Sequence, residues 1–404
     1  MHYSLLFPTV WGAWRFLLPA SLSKCRLCWF VTVSFASLVL WPCAMPVHAS
    51  ALRYKIVDLG VPEGFYCGSI TGSVSNGVIA KSVNDKGHVT GYFNTSYYNR
   101  HGFMYDGSVK DIGYVVDDYG QEIFEPVGIN DSDVIVGAYA FNTSDRGAPL
   151  YAAGNFTFIK QSIVCNGETS PAVFDPVGIN NSGQVVGNAY YCYKAEGASA
   201  GNVLTRGALY TDATLTYVGP AIGSRAFSVN DQGSVVGQAL DGTGSFVYAD
   251  GTNTVAYPSN SATAKAISNN GYVVGTFSDP DLTSHAFLNK NGELSVIPLS
   301  SAYPNKTVSP QSVNASGVVA LILMGDGADI AGVYDGEKTY ALSELVAGEN
   351  PFSSLSSAVS ISDTGYITGV GYSSSDGNYV HSYLAIPVVN KAIPQVLDLL
   401  LLSQ

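Results

Sequence analysis

Val83-Asn84-Asp85-Lys86-Gly87-His88-Val89-Thr90-Gly91 decides the fold, because near copies of this stretch recur along the chain. The others run Ile129–Gly137, Ile179–Gly187, Val229–Gly237, Ile267–Gly275, Val313–Leu321 and Ile361–Gly369. Their second residues, Asn84, Asn130, Asn180, Asn230, Ser268, Asn314 and Ser362, stand 46, 50, 50, 38, 46 and 48 residues apart. Strand-like units at periods of about 40–50 residues point to propeller blades, since one such unit cannot bury its apolar face alone.

Each copy reads as a tight hairpin. A β-branched residue leads into Asn-Asp-x-Gly and more β-branched residues follow. The Asn side chain can fold back onto its own backbone, and the Gly supplies the left-handed conformation of a type I turn with a bulge. Departures keep the chemistry: Asp133 replaces the turn Gly and tolerates positive φ, while Ser268 and Ser362 offer a weaker form of the Asn bond. The second Gly of the motif (91, 137, 187, 237, 275, 369) falls inside the outgoing strand, where its repetition predicts close packing of a neighbouring blade. Leu321 takes that position in the sixth copy, the least regular one.

A second hairpin follows each motif, clearest at His101-Gly102-Phe103-Met104-Tyr105 through Asp111-Ile112-Gly113. Each unit therefore has four short strands, the content of one blade, and the whole predicts an all-β, seven-bladed β-propeller of four-stranded blades. The last repeat reaches His381-Ser382-Tyr383-Leu384 and has no clear fourth strand. Tyr54-Lys55-Ile56-Val57-Asp58-Leu59-Gly60 resembles the fourth-strand Asp111-Ile112-Gly113 and is expected to complete it, closing the ring and removing exposed edges. Val396-Leu397-Asp398-Leu399 is the rival for that role.

The paired phrases, with His-Ala-Phe-Leu at His285–Leu288 and its variants at His101 and His381, resemble the bacterial extracellular HAF-repeat family over about Tyr54–Pro387. The resemblance implies secretion and a propeller-like fold, and brings no catalytic residues.

Residues 1–49 read as a signal peptide. Arg15, Lys24 and Arg26 precede an apolar run from Leu27 to Leu40, and Val47 and Ala49 fit cleavage after Ala49. The run is short for a membrane span, so no stable membrane insertion is expected after cleavage, and the location is secreted or periplasmic; a retained anchor is the alternative. The propeller is expected over 50–387, with a tail at 388–404 whose role stays open. Without the leader, the formal charge of −12 becomes −15, and all four Trp leave with it. An acidic chain without a basic patch excludes nucleic acid as a partner.

Cys67, Cys165 and Cys192 remain after the leader. Blade topology brings Cys165 and Cys192 to the same border and the same face, so they are the expected disulfide, with Cys67 left over. The same topology sends the long segments, among them Gln161–Asp175 and Tyr190–Arg206, to one face of the ring. Loops on a rigid scaffold commonly bind, and Tyr97, Tyr98, Tyr190, Tyr191 and Tyr193 are the candidate contacts for an extracellular glycan or protein. Ordinary edge packing of tyrosines is the competing explanation.

Chemistry-bearing motifs are sparse. Gly197-Ala198-Ser199-Ala200-Gly201 matches Gly-x-Ser-x-Gly but lacks the strand-to-helix turn that exposes a nucleophile. His101, His285 and His381 share one repeat position, which predicts a structural hydrogen bond. No metal or cofactor motif is read, although Asp279-Pro280-Asp281 and Gly325–Asp329 carry carboxylates of the kind that ligate calcium. The expected function is a binding propeller; an extracellular lyase or hydrolase with a central-channel site, and a structural envelope protein, are the alternatives.

Overall fold

The computed structural model describes residues 52–63, 69–70, 74–75, 77–96, 99–117, 120–138, 147–193, 200–375 and 379–388. The predicted leader, Cys67, Tyr97, Tyr98, Ser199 and the C-terminal tail beyond Val388 lie outside them.

Among the described residues seven antiparallel blades follow one another along the chain, six built on four consecutive strands and the seventh on the last three strands plus one from the N-terminal side. Their inner strands are Val78–Val83, Glu125–Ile129, Phe174–Ile179, Ser224–Val229, Thr263–Ile267, Lys306–Val313 and Phe352–Ile361. Each inner strand touches the next and the seventh touches the first, so the sheets close a ring. Seven apolar clusters fill the seven junctions between adjacent blades. The core is thus distributed around the ring instead of gathered at one centre.

Closure happens as the sequence predicts. Tyr54–Asp58 pairs antiparallel with Val380–Pro387, in the register Tyr54 to Pro387 through Asp58 to Tyr383. Tyr54 and Tyr383 are fully buried in this blade.

The Asn-Asp-x-Gly turns do more than reverse the chain. In the first, Asn84 Oδ1 accepts the amides of Lys86 (3.1 Å) and His88 (3.0 Å), the local bond anticipated from sequence. Its Nδ2 donates to Asn130 O of the next blade at 3.0 Å. The same step recurs from Asn130 to Asn180 O (3.1 Å), Asn180 to Asn230 O (2.8 Å), Asn230 to Ser268 O (3.1 Å) and Asn314 to Ser362 O (3.3 Å). A second belt runs beside it through the following residue: the amides of Asp85, Asp131, Asn181 and Asp231 each donate, at 2.8 Å, to the side chain one blade on. Ser268 closes its own turn, with Tyr272 N 3.1 Å from its hydroxyl, but has no amide to send onward. The Asn belt is therefore interrupted between the fifth and sixth blades, and again at Ser362, between the seventh and the first. Asp133 adopts φ 59° and reaches back to the first turn, accepting from Asn84 Nδ2 at 2.9 Å and Lys86 Nζ at 3.1 Å.

The strand glycines need a correction. The crowding at Gly91, Gly237, Gly275 and Gly369 comes from the same blade and not from its neighbour. Every inner strand carries a register shift opposite this point, as between Ala80 and Ser82 or Ala226 and Ser228. The carbonyl beside the bulge (Ile79, Arg225, Thr263, Ser357) and a third-strand ring (Phe103, Phe246, Phe287, Tyr383) occupy the place of a Cβ. In the second and third blades the third strand offers Pro149 and Ala208 at that level, and Phe124 and Phe174 from before or within the inner strand supply the ring instead.

Candidate functional site

The turns between first and second strands, with their belts, occupy one face of the ring. The opposite face receives the long connections, and several of these are more regular than expected. The fourth strand of the second blade, Asn155–Cys165, runs past its sheet and returns as Glu168–Ala172. The second and third strands of the third blade, Val185–Tyr193 and Asn202–Thr211, lengthen in the same direction. In the first blade, Val115–Val116 and Glu122–Ile123 pair beside the third strand. β-branched and aromatic residues in these stretches favour continued pairing over irregular loop.

Cys165 and Cys192 form the anticipated disulfide and join the extensions of the second and third blades, with a Cα–Cα distance of 5.3 Å. Asn166 and Gly201 brace it: Gly201 N donates to Asn166 Oδ1 (2.7 Å) and Asn166 Nδ2 to Gly201 O (3.2 Å). A Cβ on Gly201 would sit 2.5 Å from Cys192 Sγ, so only glycine lets the sulfurs meet there.

The tyrosines of this region part company. Tyr191 is 8% exposed, donates its hydroxyl to Ala221 O, and packs on Tyr217 and Tyr193 at ring separations of 5.5 and 6.4 Å. Burial is the main cause that raises its phenol above the ordinary value. Tyr190 is 37% exposed and, as its strand neighbour, points to the opposite face. Tyr191 thus supports the scaffold and Tyr190 is available for contact. Arg206, which sequence reasoning did not single out, lies over the rings of Tyr191 and Tyr217, with Cζ 5.8 and 5.9 Å from the centroids. Its Nη2 donates to Gly219 O at 2.7 Å.

The repeated histidines are structural in the end blades. His381 Nδ1 lies 2.9 Å from both oxygens of Asp58, and His101 Nδ1 lies 2.8 Å from Asp111 Oδ2. The outer-strand Asp-x-Gly closes its own turn as well, through Gly60 N (2.9 Å) and Gly113 N (2.7 Å). Burial opposes the charge on Asp58, yet the bonds from His381 and Gly60 hold its carboxyl below the usual range. Burial likewise opposes the charge on His101, and Asp111 together with Glu122 outweighs it, raising the imidazole above its ordinary value. His285 Nε2 stands 2.8 Å from Asp279 Oδ2, outside hydrogen-bond alignment, and its ring stacks on Phe277 at 5.3 Å.

The acidic loops show other duties. Asp281 caps Thr283 N at 3.1 Å, and Lys306 Nζ donates to Asp326 O and Ala328 O, both at 2.7 Å. Among the described residues no group of three His, Cys, Asp or Glu side chains converges as a metal site, and no helix is long and apolar enough to cross a membrane.

No family model and no curated protein matches this chain. Among solved structures it is similar to a Mycobacterium tuberculosis puromycin-hydrolyzing peptidase (12% identity, 78% of this chain and 51% of that chain, TM-score 0.48). It is similar as well to the Pyrococcus horikoshii acylaminoacyl peptidase (9%, 76% and 51%, 0.44) and to the β-propeller domain of the Trilobed protease from Pyrococcus furiosus (8%, 76% and 93%, 0.42). The chain spans about half the length of the two peptidases. At these identities the likeness is one of fold alone.

Proposed function

We propose that this protein is a secreted or periplasmic, non-enzymatic propeller of the HAF-repeat type that holds an extracellular partner, a saccharide before a protein, on its long-connection face. The observation that carries the reading is the asymmetry of the two faces. On one, the turn side chains are consumed by hydrogen bonds between blades. On the other, apolar and aromatic side chains stand in solvent, including Val164, Tyr190, Val203, Ile222, Leu240 and Leu282. Three of them, Val164, Tyr190 and Val203, stand on projections that a disulfide holds still, which suits contact with a partner at small ordering cost. Tyr adds amphipathic area with few torsions to freeze.

The test is to apply the purified chain to a glycan array and an exoprotein pull-down. Binding that falls when Tyr190 is replaced by Ala supports the reading, and silence in both assays sinks it. A hydrolytic reading has one observation in its favour: Lys265 Nζ, lowered from its usual value by burial, lies 3.0 Å from Ser309 Oγ of the next blade. Turnover of an activated ester, abolished by Ser309→Ala, would be its signature.

A further inference from the structure

One repeat position carries a basic side chain in four of the seven blades. It lies two residues before the third-strand residue that pairs with the strand glycine. His101 precedes Phe103 opposite Gly91, His285 precedes Phe287 opposite Gly275, and His381 precedes Tyr383 opposite Gly369. By the same register Arg206 precedes Ala208 opposite Gly187. Arg206 is the third blade's counterpart of the repeated histidine.

Three of these four basic side chains have a carboxylate beside them. In the first and seventh blades it comes from the outer strand: Asp111 pairs with Phe103 and Asp58 pairs with Tyr383. In the fifth blade Val296 stands at the corresponding place, and Asp279 approaches His285 from a loop instead, at 2.8 Å. In the third blade the residue paired with Ala208 is Tyr217, and the carboxylate is missing. The Tyr217 hydroxyl is turned away, donating to Tyr190 O at 2.9 Å. Arg206 keeps one bond, to Gly219 O, while its Nε is buried with no hydrogen-bond partner. A buried donor without a partner costs about 1–3 kcal/mol, so such a group is a place to look for a missing ligand.

We propose that Arg206, walled by Tyr191 and Tyr217, receives the carboxylate of a uronic-acid saccharide, the ligand taking the place that Asp111 and Asp58 fill in the sister blades. A guanidinium grips a planar carboxylate by two parallel bonds. The half-buried ring of Tyr217 at its side suits the flat apolar face of a pyranose better than it suits an acidic peptide, whose charges are set along a flexible chain. The net charge of −12 does not forbid this, because charges beyond about 8 Å are largely screened at physiological salt. The inference rests on the saccharide-binding reading and assigns its charge and anchor.

The test titrates the full chain calorimetrically with oligogalacturonate, alginate and hyaluronan oligomers, against methyl-esterified oligogalacturonate and a neutral galacto-oligomer. The expected result is binding of a uronate and not of its ester. Arg206→Gln should weaken it by roughly tenfold or more, the scale of a charge-assisted contact, with Arg206→Lys in between. Tyr217→Asp is the second variant: it gives Arg206 an internal carboxylate, so it should abolish uronate binding while keeping the native melting temperature or raising it. Equal binding of acidic and neutral sugars, or full uronate affinity in Arg206→Gln or Tyr217→Asp, overturns the inference and leaves the saccharide reading standing. Arg206-dependent capture of acidic peptides without any sugar overturns the ligand class. Silence toward every saccharide overturns both.

Discussion

Leu321 and Gly332 have exchanged roles relative to the other blades. In the first, fourth, fifth and seventh blades the second strand carries the glycine and its cross-strand partner carries the ring, as Gly275 does with Phe287. In the sixth blade the partners are still paired, Leu321 with Gly332, but the large side chain comes from the second strand and a Cβ on Gly332 would overlap Leu321 Cδ1. Leu321 is fully buried. The space is conserved and its donor is not. Leu321→Gly alone should cost about 3–5 kcal/mol by leaving a cavity, and Gly332→Phe alone about 1–3 kcal/mol or more by overpacking. The double variant should recover more than 1 kcal/mol relative to their sum, on the scale of contacting pairs. Urea denaturation of the four proteins checks it, and strict additivity would refute the exchange.

Gly237 and Gly178 make a contrasting pair. A Cβ on Gly237 would meet the Arg225 carbonyl and the Phe246 ring, whereas one on Gly178 finds only Val186 Cγ1 at 3.6 Å. Gly237→Ala should destabilise by about 3 kcal/mol or more, since backbone must move. Gly178→Ala should stay within about 0.5 kcal/mol of wild type. Thermal melts of the two variants measure the difference directly.

The break in the asparagine belt at Ser268 is repairable. Ser268→Asn keeps the turn bond and adds a donor aimed at the carbonyl of Asn314, the step that Asn230 makes to Ser268 O at 3.1 Å. One net hydrogen bond contributes about 0.5–1.5 kcal/mol. The variant should melt higher than wild type, and an unchanged or lower transition would show that the fifth and sixth turns stand differently.

His101 predicts a pH dependence with a definite sign. Its value is raised above the ordinary 6.5, so the stability it contributes is fully present below pH 6.5 and fades as pH rises through the higher folded value. Asp58 works in the other direction: its value is lowered from 3.8, so its contribution holds above 3.8 and is lost as pH falls through the lower folded value. Comparing wild type with His101→Gln from about pH 6 upward, near the imidazole range, should show a declining difference in stability. A difference that is constant with pH would refute a charged His101.

Reduction of Cys165–Cys192 should act locally as well as globally. Opening a loop with sequence separation 27 costs about 3.5 kcal/mol in the chain-entropy account. Cys165→Ser should accelerate amide exchange in Asn155–Cys165 and Val185–Tyr193 more than in the fifth or sixth blades, since each repeat leans chiefly on its neighbours. Uniform acceleration around the ring would contradict that.

The ring, its seven blades, its closure by Tyr54–Asp58 and the disulfide were legible because period and turn chemistry are local signals. What the local view missed lies between segments far apart in sequence. Asn84 was readable as a turn residue but not as a donor to Asn130, since the turn alone explains its presence. The strand glycines were rightly read as close approaches, and the approaching group was misplaced because a bulge shifts the carbonyl within the same sheet. Leu321 looked like decay of the motif until its partner Gly332 was placed opposite. Among the tyrosine candidates, adjacency in sequence hid opposite fates: Tyr191 is held inside and Tyr190 outside, by strand alternation. Arg206 could have been found by aligning Arg206-Gly207-Ala208 with His101-Gly102-Phe103, a spacing present in the repeat.

The meeting of Tyr54 with Pro387 has a consequence for how the molecule is made. Arg53 O also accepts Val388 N at 2.8 Å, so the strand Tyr54–Asp58 finds its partner only after the strands of the intervening blades have been made. Until then six blades can stack while a gap persists, and the two sticky borders of that gap are open to a second unfinished copy or to an assisting chaperone. Cutting the loop between two middle blades and linking Val388 to Arg53, which already touch, should yield a molecule whose last step is a blade docking whole instead of a strand threading home.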